Sequence, residues 1–254
     1  MARATISGAS TSFISLRIAI VSDIHGNLTA FEAVLADLRE TAPDLIFHGG
    51  DLAHGGSNSV EIIDRVRDLG WAGVLGNTDE LMFRPESLTE FGSRLPQLKS
   101  LWDSIEEMAV VERGWLGEER LAWLRGLPLR QTHGRMALVH ASPETCWRAP
   151  MPETSDEELE TAYAKLGQPV VVYGHVHRSF VRPVSSMTVV NTGSVSLSHD
   201  GDRRASYLLL DDWRPEIRRV EYDVDREVKA LLSCGMPHAE WIGRILESAR
   251  PQMP

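Results

Sequence analysis

The chain has 254 residues, of which 43% are hydrophobic and 24% charged, and its formal net charge is −10. This length suits one large α/β domain or two small ones. The acidic balance argues against the lysine and arginine stripes that neutralise a nucleic-acid backbone, so we expect no extended nucleic-acid surface. A small phosphorylated substrate remains compatible, since bound cations can reverse the sign of a local site.

Cysteine content and the N-terminal sequence indicate where the protein works. Cys146 and Cys234 are too few for a disulfide framework, which favours reduced thiols. No apolar run approaches the roughly 20 residues of a membrane-spanning helix. Residues 1–15 are rich in Ser and Thr and lack an apolar signal-peptide core. We therefore predict a disordered tail over 1–15, a single domain over 16–254, a cytoplasmic location and no membrane partner.

Strands and helices alternate in the first part of the chain. Residues 16–23 form a β-branched apolar run that predicts a buried strand, and Asn27 is placed to cap the helix that follows. Residues 44–51 and 71–77 repeat the strand pattern, with apolar residues at helical spacing over 58–69 between them. This alternation predicts parallel pairing in a layered α/β fold.

The middle of the chain predicts a mostly helical, cap-like region over 80–130, which contains three tryptophans. Strands are predicted over 135–143 and 169–177, with an acidic helix over 155–166 between them. Three further strand patterns, over 187–194, 205–212 and 216–224, are suited to an antiparallel second sheet. Two amphipathic helices are predicted to end the chain.

Five of the apolar strands end in side chains able to bind a metal ion. These side chains are Asp23, His25, Asp51, Asn77, His140, His175 and His177. In a parallel α/β sheet the carboxyl ends of the strands share one edge, and ligand sites form there. Each fragment alone is weak, because Gly, Asn and Asp after a strand are usually turn residues. Their shared position predicts that they converge in one crevice.

The order of the fragments DIHGN, GGD, GNTD, VHASP, GHVH and NTGSVS resembles the calcineurin-like metallophosphoesterases, in particular their small bacterial and archaeal phosphodiesterase-like branch. The resemblance covers most of the chain, over 17–222. It implies an α/β/β/α sandwich of two mixed sheets flanked by helices, with two metal ions at the sheet edge. By this resemblance the first ion would be held by Asp23, His25, Asp51 and His177. The second would be held by Asp51, Asn77, His140 and His175, with Asp51 bridging the two.

The activity implied by the resemblance is metal-dependent hydrolysis of a phosphate ester, with a phosphodiesterase favoured. A hydroxide bridging the two ions would attack phosphorus in line with the leaving group. Imidazole, carboxylate and amide ligands suit Mn, Fe, Zn, Ni or Co, whereas Mg prefers an all-oxygen shell and is disfavoured. The expected partner is a small phosphorylated substrate, and a homo-oligomer stays open because small relatives often form one.

Alternative functions stay open within and beyond the superfamily. A phosphomonoesterase, a protein phosphatase or a dinucleotide phosphatase would share the fold. The protein and dinucleotide phosphatases carry an Arg in an extended GDxxDRG segment and a GNHE block, where this chain has GDLAHGG and GNTDE. A non-catalytic scaffold would be expected to lose metal ligands, and none of the seven is lost.

The general acid is unassigned, because Thr78 stands where many relatives have a histidine that assists the leaving group or binds phosphate. We expect Thr78 and Asn77 to contact the substrate. His54, three residues beyond Asp51, is a candidate for the missing acid, with a surface imidazole as the alternative. Asp79 is predicted either to orient a substrate or a histidine, or to cap the next helix.

Other polar residues receive weaker assignments. Asn191, in NTGSVS, is predicted to support the metal loops, with direct phosphate contact as the second interpretation. His48 is expected in the core or behind the site. His133, His199 and His238 lie in polar contexts and are expected to face solvent.

Overall fold

The computed structural model of the protein describes residues 16–254, and the tail predicted over 1–15 lies outside this range. The described chain contains ten strands: β1 (Arg17–Val21), β2 (Leu45–His48), β3 (Ala72–Gly73), β4 (Arg130–His133), β5 (Met136–Val139), β6 (Val170–Tyr173), β7 (Phe180–Val184), β8 (Met187–Asn191), β9 (Ala205–Asp211) and β10 (Arg214–Val220). They form two five-stranded sheets, in the orders β10-β9-β1-β2-β3 and β4-β5-β6-β8-β7.

Both sheets are mixed. In the first, β1 pairs with β2 and β2 with β3 in parallel, whereas β9 runs antiparallel to both β1 and β10. In the second, β5, β6 and β8 are parallel, and β4 and β7 are antiparallel edge strands. The prediction of a separate antiparallel sheet from the strands after residue 187 is therefore wrong. Two of those strands extend the first sheet, and β8 joins the second.

The α-helices over the described residues are α1 (Leu28–Thr41), α2 (Ser59–Asp68), α3 (Asn77–Phe83), α4 (Glu86–Gly92), α5 (Lys99–Arg125), α6 (Asp156–Tyr163), α7 (Val224–Ser233) and α8 (Ala239–Ser248), with short 3-10 helices at Pro96–Leu98 and Ala164–Leu166. The predicted cap holds at α1, where Asn27 accepts a hydrogen bond from the amide of Ala30 at 2.9 Å. Non-helical backbone at Gly117 (φ 68°) interrupts α5. None of these helices is long and apolar enough to cross a membrane.

The core is layered because successive side chains of a strand point to opposite faces. Ile18 and Ile20 of β1 belong to the cluster between the two sheets, together with Leu138 of β5. The alternate residue of β1, Val21, packs instead with Phe31 of α1 on the outer face of the first sheet. On the outer face of the second sheet, Val139 and Val171 pack with Leu159 and Tyr163 of α6. The implied arrangement of two mixed sheets flanked by helices is confirmed.

Candidate metal centre

All seven predicted ligands lie just beyond the carboxyl ends of five strands. Asp23 and His25 follow β1, Asp51 follows β2, and Asn77 begins α3 after β3. His140 follows β5, and His175 and His177 follow β6. The first three strands belong to one sheet and the last two to the other. The crevice therefore joins the edges of two sheets, where sequence reasoning had placed it on one.

Backbone hydrogen bonds hold these loops against one another. The amide of Asp23 donates to the carbonyl of Gly50 at 3.0 Å, and the amide of His25 donates to the carbonyl of Asp51 at 2.9 Å. Across the two sheets, the amide of Val195 donates to the carbonyl of Ser22 at 3.1 Å. The loops are thus fixed independently of any side chain that points into the crevice.

Backbone strain concentrates at the predicted ligands. Five of them have positive φ without being glycine: Asp23 (57°), His25 (48°), Asp51 (52°), His175 (65°) and His177 (56°). Such a conformation costs of order 1–3 kcal/mol per residue and persists only where the surroundings fix it, typically at functional sites. The strained backbone at five of the predicted ligands therefore indicates that these loops have a functional role.

The first cluster contains Asp23, His25, Asp51 and His177, all buried, with one potential ligand atom of each within 4.8 Å of the others. His177 Nε2 lies 3.1 Å from Asp23 Oδ1 and 3.1 Å from His25 Nε2. His25 Nε2 lies 3.6 Å from Asp51 Oδ2. Two carboxylates and two imidazoles thus surround one point.

The second cluster contains Asn77, His140 and His175 beside the same Asp51. His140 Nε2 lies 3.4 Å from Asp51 Oδ2 and 3.0 Å from Asn77 Oδ1. His175 Nδ1 lies 2.8 Å from the same Asn77 oxygen. Asp51 Oδ2 therefore faces a histidine of each cluster, the position that a bridging carboxylate requires.

The histidine rings are oriented as metal ligands are. The Nδ1 atoms of His25, His140 and His177 lie 2.6–2.8 Å from the backbone carbonyl oxygens of His54, Gly49 and Leu197, respectively. A carbonyl oxygen only accepts, so each Nδ1 donates and each Nε2 faces the carboxylates. Metal-binding histidines are commonly fixed in this way by an outer hydrogen bond. The donor set fits two divalent transition-metal ions.

The ionisation of the cluster follows its burial and its carboxylates. Burial lowers the pKa of His25 and of His175 to about 4. Burial also opposes the charged form of His140, but the charge and hydrogen bond of Asp51 together with the charge of Asp23 outweigh it and raise the pKa of His140 to about 9. Burial likewise opposes ionisation of Asp51, but the charge and hydrogen bond of His140 together with the other histidines outweigh it and hold the pKa of Asp51 well below its usual range. The carboxylates thus favour the protonated form of His140, whereas burial favours the neutral form of His25 and His175.

Two glycines allow the loops to approach the carboxylates closely. A Cβ atom at Gly76 would lie 2.1 Å from Asp51 Oδ1 and 2.2 Å from the Asp51 amide nitrogen. A Cβ atom at Gly174 would lie 2.3 Å from Asp23 Oδ2. Any other residue at these positions would displace a predicted ligand.

Asp79 and Thr78 support the loops. One carboxylate oxygen of Asp79 accepts from the amides of Leu52 (2.9 Å) and Ala53 (3.3 Å), and the other from Gly76 (3.2 Å), which caps α3. Burial, and then the charge of Asp51, raises the pKa of Asp79 to about 7. These contacts favour the capping interpretation of Asp79.

Substrate contact was the prediction for Thr78 and the second interpretation for Asn191, and both residues make hydrogen bonds within the protein. The Thr78 amide donates to Asp51 Oδ1 at 2.9 Å, and its hydroxyl donates to the carbonyl of Ala53 at 3.0 Å. Asn191 is fully buried, donates to the carbonyl of Gly174 at 2.6 Å and accepts from the amide of Gly193 at 2.9 Å. Asn191 thus supports the GHVH turn, in keeping with its first interpretation, and substrate contact by Thr78 or Asn191 stays a prediction.

His54 is buried, so the surface-imidazole alternative is wrong. Its Nδ1 lies 3.3 Å from Oε2 of Glu112, and its amide donates to Oε1 of Glu112 at 2.7 Å. The hydroxyl of Ser59 donates to the same Oε1 atom. Since the carbonyl of His54 also holds His25, the residue links α5 to the first cluster. The hypothesis that His54 is the general acid stays a prediction.

Sequence reasoning missed two neighbours of the site. Glu112 is fully buried in the middle of α5, where a single acidic residue gave no signal. The ring of His199 lies 4.8 Å from that of His177, centroid to centroid, although solvent was expected around it. Its place three residues after NTGSVS, the fragment already assigned to the site, was the available signal. His48 is core, as one interpretation expected, and Asn77 and His175 are the partly exposed members of the predicted ligand set.

Comparison with known proteins places this geometry in context. A family model described as the calcineurin-like phosphoesterase superfamily domain matches residues 16–212. An uncharacterized protein of Methanocaldococcus jannaschii is 30% identical over 90% of this chain and 96% of its own. The crystal structure of a metallophosphoesterase from Sphaerobacter thermophilus superposes with a TM-score of 0.74 at 25% identity, covering 92% of this chain and 99% of that one.

Two further relatives carry names that specify a substrate. A symmetrical bis(5'-nucleosyl)-tetraphosphatase of Methylococcus capsulatus is 31% identical over 57% of this chain and 49% of its own. A probable cyclic nucleotide phosphodiesterase of Synechococcus is 24% identical over 83% of this chain and 94% of its own. Both names describe the hydrolysis of nucleotide phosphoesters or anhydrides.

Proposed function

The chain belongs to the calcineurin-like phosphoesterase superfamily, and we propose that within it the protein is a metal-dependent phosphodiesterase acting on a small phosphorylated substrate. The observation that carries the proposal is the position of Asp51, whose Oδ2 atom faces His25 of one cluster and His140 of the other. One carboxylate shared by two sets of ligands is the arrangement that a two-metal hydrolase needs.

The residues proposed to hold the ions are those grouped by geometry. Asp23, His25, Asp51 and His177 would hold one, and Asp51, Asn77, His140 and His175 the other. When bound, a pair of Mn, Fe, Zn, Ni or Co ions supplies Lewis-acid activation of the phosphate and a nucleophile at neutral pH. The ring orientations set by the backbone carbonyls keep the Nε2 atoms of His25, His140 and His177 ready to coordinate.

The opening of the site follows from the exposure of its members. Asn77 and His175 are partly exposed, whereas Asp23, Asp51 and His140 are buried. The scissile phosphate would therefore approach from the side of Asn77. Thr78, which stands in place of the leaving-group histidine of many relatives, uses its hydroxyl on a backbone carbonyl. Without an assigned acid, esters with good leaving groups should react fastest.

A diesterase is favoured over the alternatives by the Synechococcus relative, which aligns over nearly its whole length. Hydrolysis of a dinucleoside polyphosphate is the second candidate, supported by the tetraphosphatase of Methylococcus capsulatus, of which this chain matches about half. A scaffold is disfavoured, because every predicted ligand side chain is present and directed into one crevice. A cytoplasmic location and a homo-oligomer stay predictions.

The test is hydrolysis of bis-p-nitrophenyl phosphate against p-nitrophenyl phosphate, with metal-stripped protein and each metal added back. We expect metal-dependent turnover with kcat/KM about tenfold or more in favour of the diester, reduced by about a hundredfold or more in Asp51→Asn. Asp103→Asn, an exposed aspartate on α5, is the matched control and should retain wild-type activity. Folded protein that turns over neither substrate with any of these metals would contradict the proposal.

A further inference from the structure

A cavity of about 460 Å³ is lined by residues that follow the predicted ligands Asn77 and His140 along the chain. One wall comes from α3 and α4, and the other from residues 144–148, which follow His140 along the chain. Glu80 of this wall is three residues after Asn77 on α3, so the two side chains share a helix face about 4.5 Å apart along the axis. The cavity, here called the side pocket, therefore begins one helical turn from a predicted metal ligand. Its volume is within the range of small-molecule sites.

An aromatic surface forms part of the side pocket. The rings of Phe91 and Trp147 lie 5.3 Å apart, centroid to centroid, with their planes inclined by 36°. Trp147 Nε1 donates to Oε2 of Glu80 at 2.6 Å, and the Cys146 thiol donates to the same oxygen at 3.2 Å. These bonds fix the indole in place. A fixed aromatic surface next to a phosphate site is suited to stacking by a flat heterocycle.

The charges of the side pocket do not all cancel. Arg84 is held by Glu80 at 2.8 Å and Glu90 at 2.5 Å. Glu144, also in the lining, pairs with Lys165 outside it.

Arg94 and Arg148 are exposed in the lining, and neither has an ion-pair partner among residues 16–254. These two guanidinium groups therefore supply positive charge to the cavity of a chain whose formal net charge is −10. The planar guanidinium group binds phosphate oxygens through two parallel hydrogen bonds.

We propose that the side pocket binds the nucleotide portion of the substrate, with a heterocyclic base against Phe91 and Trp147 and a second phosphate on Arg94 and Arg148. The inference rests on the proposed function, because the scissile phosphate is taken to lie at the metal centre. A fixed aromatic pair and two guanidinium groups without ion pairs in one cavity match the base and one phosphate of a nucleotide, and the scissile phosphate at the metal centre is then a second one. The substrate class is therefore a nucleotide ester or anhydride with at least two phosphates, in which the scissile phosphorus carries two substituents as in a diester.

Equilibrium binding of ADP to the metal-loaded protein, measured by isothermal titration calorimetry, tests the pocket directly. ADP should bind about tenfold or more tightly than pyrophosphate, which lacks the base. Affinity for ADP should fall by about tenfold or more in the double variant Arg94→Ala/Arg148→Ala. Arg39→Ala removes an exposed arginine of α1 that has no ion pair in the described chain, and it should bind ADP as the wild type does. A cooperative thermal transition in each variant establishes that it is folded.

Two results would contradict the proposal that the side pocket binds a nucleotide. Equal affinity for ADP and pyrophosphate would show that the side pocket does not bind the base. Unchanged ADP affinity in the double variant would show that Arg94 and Arg148 do not bind the second phosphate. Hydrolysis of bis-p-nitrophenyl phosphate by the wild type reports separately on the proposed function. If the protein hydrolyses the diester but binds ADP equally well without Arg94 and Arg148, the nucleotide-binding proposal is refuted and the proposed phosphodiesterase is not. Arginine-dependent ADP binding without hydrolysis under any metal would refute the phosphodiesterase alone.

Discussion

Replacing Glu112 with alanine should destabilise the protein and weaken the metal centre together. The buried carboxylate accepts from the amide of His54 at 2.7 Å and from the hydroxyl of Ser59. Alanine would leave both donors buried without a partner, at about 1–3 kcal/mol each, so the free energy of unfolding should fall by about 2–6 kcal/mol. Because the carbonyl of His54 orients His25, metal affinity should also fall, by about 10–100-fold.

The assay is urea unfolding of the metal-free protein, followed by a competition titration of Mn²⁺ against a chelator. Glu106→Ala, an exposed glutamate on the same helix, is the control and should stay within about 0.5 kcal/mol of the wild type. Glu112→Gln keeps one acceptor oxygen and should show a smaller loss, about 1–2 kcal/mol. If Glu112→Ala matched Glu106→Ala in both stability and metal affinity, the argument that α5 holds the first cluster in place would be refuted.

Three further predictions address the glycines, the metal and pH. Gly76→Ala should abolish metal binding, measured as bound metal per chain, because its Cβ would lie 2.1 Å from Asp51 Oδ1, whereas Gly114→Ala, whose Cβ meets no atom within 4 Å, should bind metal normally. Mn²⁺ at about 100 times its dissociation constant should stabilise the wild type by about 2.7 kcal/mol and raise its Tm by about 5–10 °C for each ion bound, and equal shifts in Asp51→Asn would contradict this. Burial opposes ionisation of Asp37, but its bonds to Tyr207 and Arg218 outweigh it and hold the pKa of Asp37 below its usual value. Stability from a depressed carboxyl pKa is present above the unfolded-state value near 3.9 and is lost as pH falls through the folded-state pKa. The difference in free energy of unfolding between wild type and Asp37→Asn, measured in urea, should therefore narrow below about pH 4. A difference that widened there would refute the lowered folded-state pKa of Asp37.

The convergence of the predicted ligand side chains could be inferred from the sequence because its signal is local. Asp23, Asp51 and His140 each follow a short apolar strand, and that pattern is visible without knowing which strands pair. Strand pairing itself is non-local, so β9 and β10 were assigned to the wrong sheet. The edge strand β7 was missed because Pro183 interrupts its pattern, and proline is tolerated only where one side of a strand needs no partner.

The hydrogen bonds that hold the site loops in place were less predictable, because they join residues that are distant in the chain. Glu112 reaches His54 across 58 positions, and Asn191 reaches Gly174 across 17. A buried glutamate in a helix looks like any solvated one until its neighbours are known. The hydrogen bonds of Thr78 could not be predicted for the same reason, because proximity to the motif in sequence does not reveal which bonds a side chain makes.

The central claim, two metal sites that share Asp51 and act together, is tested most directly by titrating metal-free protein with Mn²⁺. Bound metal and the rate of bis-p-nitrophenyl phosphate hydrolysis would be followed in the same samples, for the wild type and for Asn77→Ala. We expect the wild type to bind two ions per chain, with activity rising as the second site fills, and Asn77→Ala to bind one ion with little activity. Full activity with a single ion bound, or an Asn77→Ala variant as active as the wild type, would contradict the dinuclear account.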